Sequence, residues 1–142
     1  MSEATNNYFN VGAKQVEIDE EFPPFYTSME DIPFVQLGDG IRARPVFGKN
    51  LLVNYVYFEA NAVAPVHQHA EEQIGTSLEG EFEFELNGET QIIKPGVFYF
   101  VPPNVPHGAR SLDKPCVAVD IFSPPRSGVR EMFEKVTAAK PD

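Results

Sequence analysis

All three histidines of this chain fall in two short stretches, His67-Gln68-His69-Ala70-Glu71-Glu72-Gln73 and Pro102-Pro103-Asn104-Val105-Pro106-His107. In a strand, residues two apart point to the same side, so His67 and His69 are expected to present their imidazoles together, with Gln73 close behind. Imidazole is the commonest protein ligand for transition metals. Three imidazoles and an amide oxygen make a neutral pocket for one divalent transition ion, a donor set that suits iron, manganese, nickel, cobalt and zinc alike. A lone histidine on a β surface is ordinarily just that, but a chain that commits every histidine to two such stretches points to a metal site of His67, His69, Gln73 and His107.

The elements that must position these groups read as all-β. Segments 41–47 and 51–59 are rich in β-branched and aromatic residues and are separated by Gly48-Lys49-Asn50. Gly80-Glu81-Phe82-Glu83-Phe84-Glu85-Leu86 alternates acidic and apolar residues, with the acidic stripe read as a solvated face, and Asn87-Gly88 predicts a type I′ hairpin into 90–93. Lys94-Pro95-Gly96 turns the chain into 97–101, the run 102–106 is a rigid loop, and 116–122 is a late strand. Such regularly spaced short strands form a sandwich or barrel. Val129, Met132, Phe133 and Val136 lie at helical spacing within 128–139, so one amphipathic helix closes the fold.

A length of 142 residues fits one domain. The expected division is an N-terminal extension over 1–31, a barrel over 32–126, and a C-terminal helix and tail over 127–142. Within the extension, Phe22-Pro23-Pro24-Phe25-Tyr26 is a partly apolar strip expected to lie across the barrel or a partner subunit, with a mobile tip before it. Eleven basic against 21 acidic residues give a net charge of -10, which argues against nucleic acid and anionic membrane as partners. The single Cys116 leaves no intrachain disulfide, and Met1-Ser2-Glu3-Ala4-Thr5-Asn6-Asn7 lacks the basic and apolar regions of a signal peptide, so the expected location is cytoplasmic.

The two histidine stretches resemble the paired motifs of the cupin superfamily, small β-barrels of jelly-roll type. The first is met by His67, His69, Gln73 and Gly80, the second by Gly96, Pro102 and His107. Asn61 and Asn104 stand where that pattern carries glycine, and Ser111 where it often ends in asparagine. Most metal cupins of this pattern use glutamate where this chain has Gln73. A neutral amide leaves the ion's charge uncompensated, a stronger Lewis acid suited to an anionic or enolic substrate. By strand parity Gly75 and Ser77 share the inward side with Gln73, and their small size is expected to leave space above the ion.

Glu72-Gln73-Ile74-Gly75, Asn104-Val105-Pro106-His107 and Asp120-Ile121-Phe122-Ser123-Pro124-Pro125-Arg126 resemble the KdgF-type uronate-metabolism cupins, which open the ring of 4,5-unsaturated uronic acids. The resemblance implies Asp120 as the proton-transfer group, Arg126 as a carboxylate clamp and Phe122 as a wall for the sugar. After Arg126 the chain continues Ser127-Gly128-Val129, where that group commonly has an acidic residue and an aromatic. Val105-Pro106-His107-Gly108-Ala109-Arg110 is also similar to the bacilysin-biosynthesis isomerase cupins, which move double bonds in a keto acid.

Alternation puts Ala118, Asp120 and Phe122 on one face of the late strand and Val117, Val119 and Ile121 on the other. An inward Asp120 is the expected arrangement, with the aliphatic stripe covered by a second subunit in a homodimer. Arg110 is a lesser candidate for ligand contact, and Cys116 reads as a small buried hydrophobe. The expected partner is thus a small anionic substrate, a sugar acid or a keto acid. Metal-dependent dioxygenase and non-catalytic small-molecule binding are the alternatives from other classes.

Overall fold

The computed structural model describes residues 8–138. The ends of the expected N-terminal extension and C-terminal tail, with Ala139 of the expected helix, lie outside the described residues. Ten strands follow in order: β1 (Val35–Gly38), β2 (Ile41–Phe47), β3 (Leu52–Phe58), β4 (Val63–His67), β5 (Glu72–Glu79), β6 (Phe82–Leu86), β7 (Glu89–Ile93), β8 (Phe98–Val101), β9 (His107–Ser111) and β10 (Cys116–Ser123). A short 3-10 helix (Met29–Asp31) precedes the strands, and the α-helix α1 (Ser127–Ala138) comes last. No helix among the described residues is long and apolar enough to cross a membrane.

The strands form two antiparallel sheets, one of six strands in the order β1-β2-β3-β10-β5-β8 and one of four in the order β4-β9-β6-β7. Alternation along each strand turns an apolar row inward, and the two inner faces close on each other as a jelly roll. Aromatic rings join the layers. Phe58 of β3 stacks on Phe82 of β6 with ring centroids 6.2 Å apart, and Tyr99 of β8 stacks on Phe84 of β6 at 3.8 Å. Val35, Ile41, Val56, Ile93 and Val101 fill the space around them.

Local chemistry accounts for the turns. The Asn87-Gly88 hairpin forms with both residues at positive φ, 49° and 88°, as a type I′ turn requires. Asn61 and Asn104, at the two positions where the cupin pattern carries glycine, also adopt positive φ, 58° and 65°. Asparagine tolerates the left-handed region better than other side chains, so the loops keep the shape that glycine would give. Ser111 takes over the loop-holding task at the end of the second motif: its Oγ accepts from the Ala62 amide at 2.9 Å and donates to the Glu59 carbonyl.

Several expectations are refined. Strands β1, β4 and β9 are short and carry no long β-branched run, so their pairing partners, more than their own sequences, make them strands. Helix α1 buries Val129 and packs Met132 and Phe133 on the barrel, while Val136 stays partly exposed. The strip 22–26 does not lie on the barrel of its own chain: Phe22, Phe25 and Tyr26 are exposed. It is held only at its start, where Lys49 reaches Asp19 at 3.4 Å and sits 5.6 Å from the Phe22 ring.

Candidate metal centre and cavity

The expected site residues meet at one end of the barrel, where the two sheets part. Strand β4 ends at His67, so His69 lies in the loop that crosses from the four-stranded to the six-stranded sheet, and Gln73 is the second residue of β5. The convergence of His67 and His69 therefore comes from that crossing loop and not from parity along one strand. His107 begins β9 and pairs with His67 across the β4/β9 ladder. Gly108 makes this possible, because a side chain there would press on the backbone of Ala64 and Val66 at about 3 Å.

The nitrogen and oxygen atoms are oriented by the backbone. Nδ1 of His67, His69 and His107 contacts the carbonyl oxygens of Pro65, Glu71 and Val105 at 2.8, 2.9 and 2.9 Å. A carbonyl can only accept, so each Nδ1 donates and each neutral ring keeps a bare Nε2 lone pair. His69 Nε2 lies 3.1 Å from His107 Nε2 and 3.1 Å from Gln73 Oε1. The amide of Gln73 cannot turn to donate, since its Nε2 already donates to Asp120 Oδ1 at 2.9 Å.

The result is a cluster of acceptors with no donor among them. The ligand atoms of the three histidines all lie within 4.8 Å of one another. Burial lowers the pKa of His69 and, to about 4, that of His107, with the Arg126 charge adding a smaller push in the same direction. Both rings are then neutral near pH 7, and proton sharing cannot relieve the facing lone pairs. A cation can: donors that each bind one ion at about 2.0–2.2 Å must sit roughly 3 Å apart, the spacing found between His69 and both His107 and Gln73. His67, His69 and His107 are positioned to bind a metal ion, and the Gln73 amide oxygen, facing them, fits as a fourth holder.

The centre opens into a cavity of about 360 Å³ between the sheets, lined at its mouth by His67, Gln73, Phe122, Arg126 and α1. Asp120 points into it, from the same face of β10 as Ala118 and Phe122. Its Oδ1 accepts from the buried Tyr99 hydroxyl at 2.6 Å as well as from Gln73. Burial raises the Asp120 pKa, and the two hydrogen bonds oppose that shift; burial next to this carboxylate raises the Tyr99 pKa too. The phenol is therefore the donor and the carboxylate the acceptor. The space expected at Gly75 is not empty, because Asp120 and Tyr99 meet there: a Cβ on Gly75 would collide with both.

Arg126 sits at the rim, a third exposed, with its guanidinium 5.9 Å from the Phe122 ring and its Nε 3.7 Å from Glu71 Oε1. Glu71 Oε1 also approaches His69 Nδ1 at 3.6 Å, so one carboxylate links the arginine to the metal-site loop. Phe122 lies edge-on to the His69 ring, centroids 5.6 Å apart. Arg110 is elsewhere, exposed and paired with Glu83 at 3.0 and 3.1 Å. Cys116 is buried in the core, and burial pushes its thiol to about 11. Tyr99 and Asn54 were not singled out from sequence. Parity with Val101 signals that Tyr99 faces inward, but its meeting with Asp120 depends on the order β10-β5-β8.

A jelly roll with histidines from both motifs gathered at the barrel end defines a cupin, and the chain belongs to that family: residues 54–122 match the Cupin domain. It is 34% identical over 100 residues to the pectin degradation protein KdgF of Dickeya dadantii, covering 69% of this chain and 91% of that protein. The structure of KdgF from Halomonas sp. superposes with a TM-score of 0.68 at 32% identity, over 75% of this chain and 97% of that one. The H2HPP isomerase of Bacillus subtilis is 41% identical over 73 residues, half of this chain but only 30% of that protein.

Two outcomes are expected from the geometry. Purified protein should carry close to one divalent transition ion per chain, and His67→Ala or His107→Ala should lose it while keeping a β-type circular dichroism spectrum; undiminished metal by elemental analysis in both variants contradicts the site. Gly75→Ala should lower stability by about 1–3 kcal/mol in denaturant melts, because the added methyl forces Tyr99 and Asp120 apart. An unchanged midpoint would mean that the strands yield there without strain.

Proposed function

We propose that this cupin is a metal-dependent enzyme that opens the ring of a 4,5-unsaturated uronic acid to a linear keto sugar. The observation that carries the reading is the hydrogen bond of Asp120 to Gln73, which faces the histidine cluster, beside Phe122 and Arg126 in one cavity. Likeness to KdgF proteins along most of the chain supports the substrate class. A divalent ion held by His67, His69, Gln73 and His107 supplies Lewis acidity toward developing negative charge on a substrate oxygen.

The protein groups supply the rest. Arg126 holds the uronate carboxylate at the rim, and Phe122 offers its face to the sugar ring. Asp120 takes the proton of the anomeric hydroxyl as the bond from that carbon to the ring oxygen breaks and an aldehyde forms. The electron pair left on the ring oxygen makes an enolate, and the proton held by Asp120, returned to the alkene carbon, gives the ketone. Atoms and charge balance without any co-reactant, so the reaction is an isomerisation. Tyr99 keeps Asp120 aimed inward, and α1 shields the mouth from water.

Keto-acid double-bond isomerisation is the second reading, favoured by one observation: the inner cavity wall is apolar, formed by Ile41, Val56, Phe58, Phe82 and Phe84. That surface suits an apolar ring better than a polyhydroxy chain. For cellular location, the lone buried Cys116 fits the reducing cytoplasm.

The test follows loss of the unsaturated chromophore in the ultraviolet, with metal-loaded protein and 4,5-unsaturated galacturonate, against the spontaneous rate. Asp120→Asn should retain the ion and the KM but lose about 10²-fold or more in kcat, as expected for a proton-transfer group. Arg126→Ala should chiefly raise KM. Wild-type protein that never exceeds the spontaneous rate on any unsaturated uronate removes this substrate class and leaves the keto acid to be tried.

We also propose a homodimer. Ile121, Ile74 and Phe100 form a cross-strand row on the outer face of the six-stranded sheet, all partly exposed, with Phe98 beside them on the edge strand β8. A second copy would cover this surface. Light scattering at micromolar concentration should return twice the chain mass, and Phe100→Glu should halve it; a monomeric wild type ends the idea.

A further inference from the structure

Among the described residues two buried side-chain atoms have no hydrogen-bond partner, Arg44 Nε and Asn54 Oδ1. The arginine is accounted for. It sits on the outer side of β2, stacked over the Phe34 ring at 4.1 Å and facing Tyr57 at 5.8 Å. Asn54 has no such explanation: it is 2% exposed, and it lines the cavity behind the metal centre.

Its position is set by register. Across the six-stranded sheet Pro45, Asn54, Asp120, Gly75 and Tyr99 stand opposite one another in one row. On one flank Asp120 is engaged by Tyr99 and Gln73. On the other flank lies the Asn54 amide, and beyond it Pro45, which has no N–H to give. The inward residues of β3 are Leu52, Asn54, Val56 and Phe58, so an amide interrupts an otherwise apolar row. Asparagine is a poor strand residue, and burying its amide unpaired opposes folding. An apolar side chain would pack there with neither cost, so the amide is best explained by a partner that arrives with the substrate.

We propose that Asn54 is a substrate-binding residue whose side-chain amide, turned about its Cβ–Cγ bond, hydrogen-bonds a substrate hydroxyl lodged in the cavity beside Asp120. The inference rests on the proposed function and narrows it: the substrate is a hydroxyl-bearing acid, since one without the hydroxyl leaves the amide unpaired. Asn54 thus favours the sugar acid over the keto acid, against the pull of the apolar inner wall.

The experiment uses the metal-loaded full chain and two variants, Asn54→Leu, which keeps the branched shape, and the shorter Asn54→Val. Both should keep the metal content, and at least one should unfold at or above the wild-type temperature, as when an unpaired buried amide is removed. On 4,5-unsaturated galacturonate KM should rise about tenfold, with a smaller change in kcat. A lower unfolding temperature in both variants overturns the inference, because it shows an amide already satisfied by the protein; an unchanged KM overturns it equally. If wild-type protein does not turn over the uronate, the proposed function fails, and Asn54 is judged on the unfolding temperatures alone.

Discussion

Three backbone carbonyls orient the candidate metal centre of this protein. By taking the Nδ1 protons of His67, His69 and His107, they leave three Nε2 lone pairs aimed at one point, and the bond from Gln73 to Asp120 adds an amide oxygen to them. No donor is present to separate these acceptors. Such a cluster is unfavourable by itself and favourable around a cation, so a metal bound there would stabilise the local fold. The loop between β4 and β5, the start of β9 and the glycine at 108 all serve to keep those lone pairs converging.

Gln73 ties that centre to Asp120, since its amide oxygen faces His69 while its nitrogen bonds the Asp120 carboxylate. A glutamate at this position could not donate to Asp120, and two carboxylates facing each other would repel. The neutral amide thus lets an aspartate sit directly behind the three histidines, and it would leave the charge of an ion bound there unreduced. Gly75 completes the arrangement by leaving room for the Tyr99 hydroxyl on the same oxygen.

Beyond this polar corner the cavity is apolar and capped by α1. Such a low-dielectric wall would strengthen hydrogen bonds and charge interactions to a molecule held against it. The charged groups are placed at the rim, Arg126 with Glu71, and the buried polar ones at the row of Asn54, Asp120 and Tyr99. An acid entering carboxylate first at the rim would expose its reacting carbons to that row.

Sequence alone determined the fold class, the strands with strong alternation or β-branched runs, the hairpin at Asn87-Gly88, the closing helix and the residue types of the metal centre. Each of these rests on local periodicity, turn chemistry or the rarity of histidine, which are properties of neighbouring residues. It did not determine that His69 leaves strand β4, that Asp120 bonds Gln73 and Tyr99, that Gly75 is filled from across the sheet, or that Asn54 stands unpaired beside Asp120. Those facts depend on the order β3-β10-β5-β8, which aligns segments from positions 54 to 120 in one transverse row. Strand order is chosen by the burial of whole faces against each other, a nonlocal balance that no single segment encodes, and so the partners of each polar group were decided only when the sheets closed.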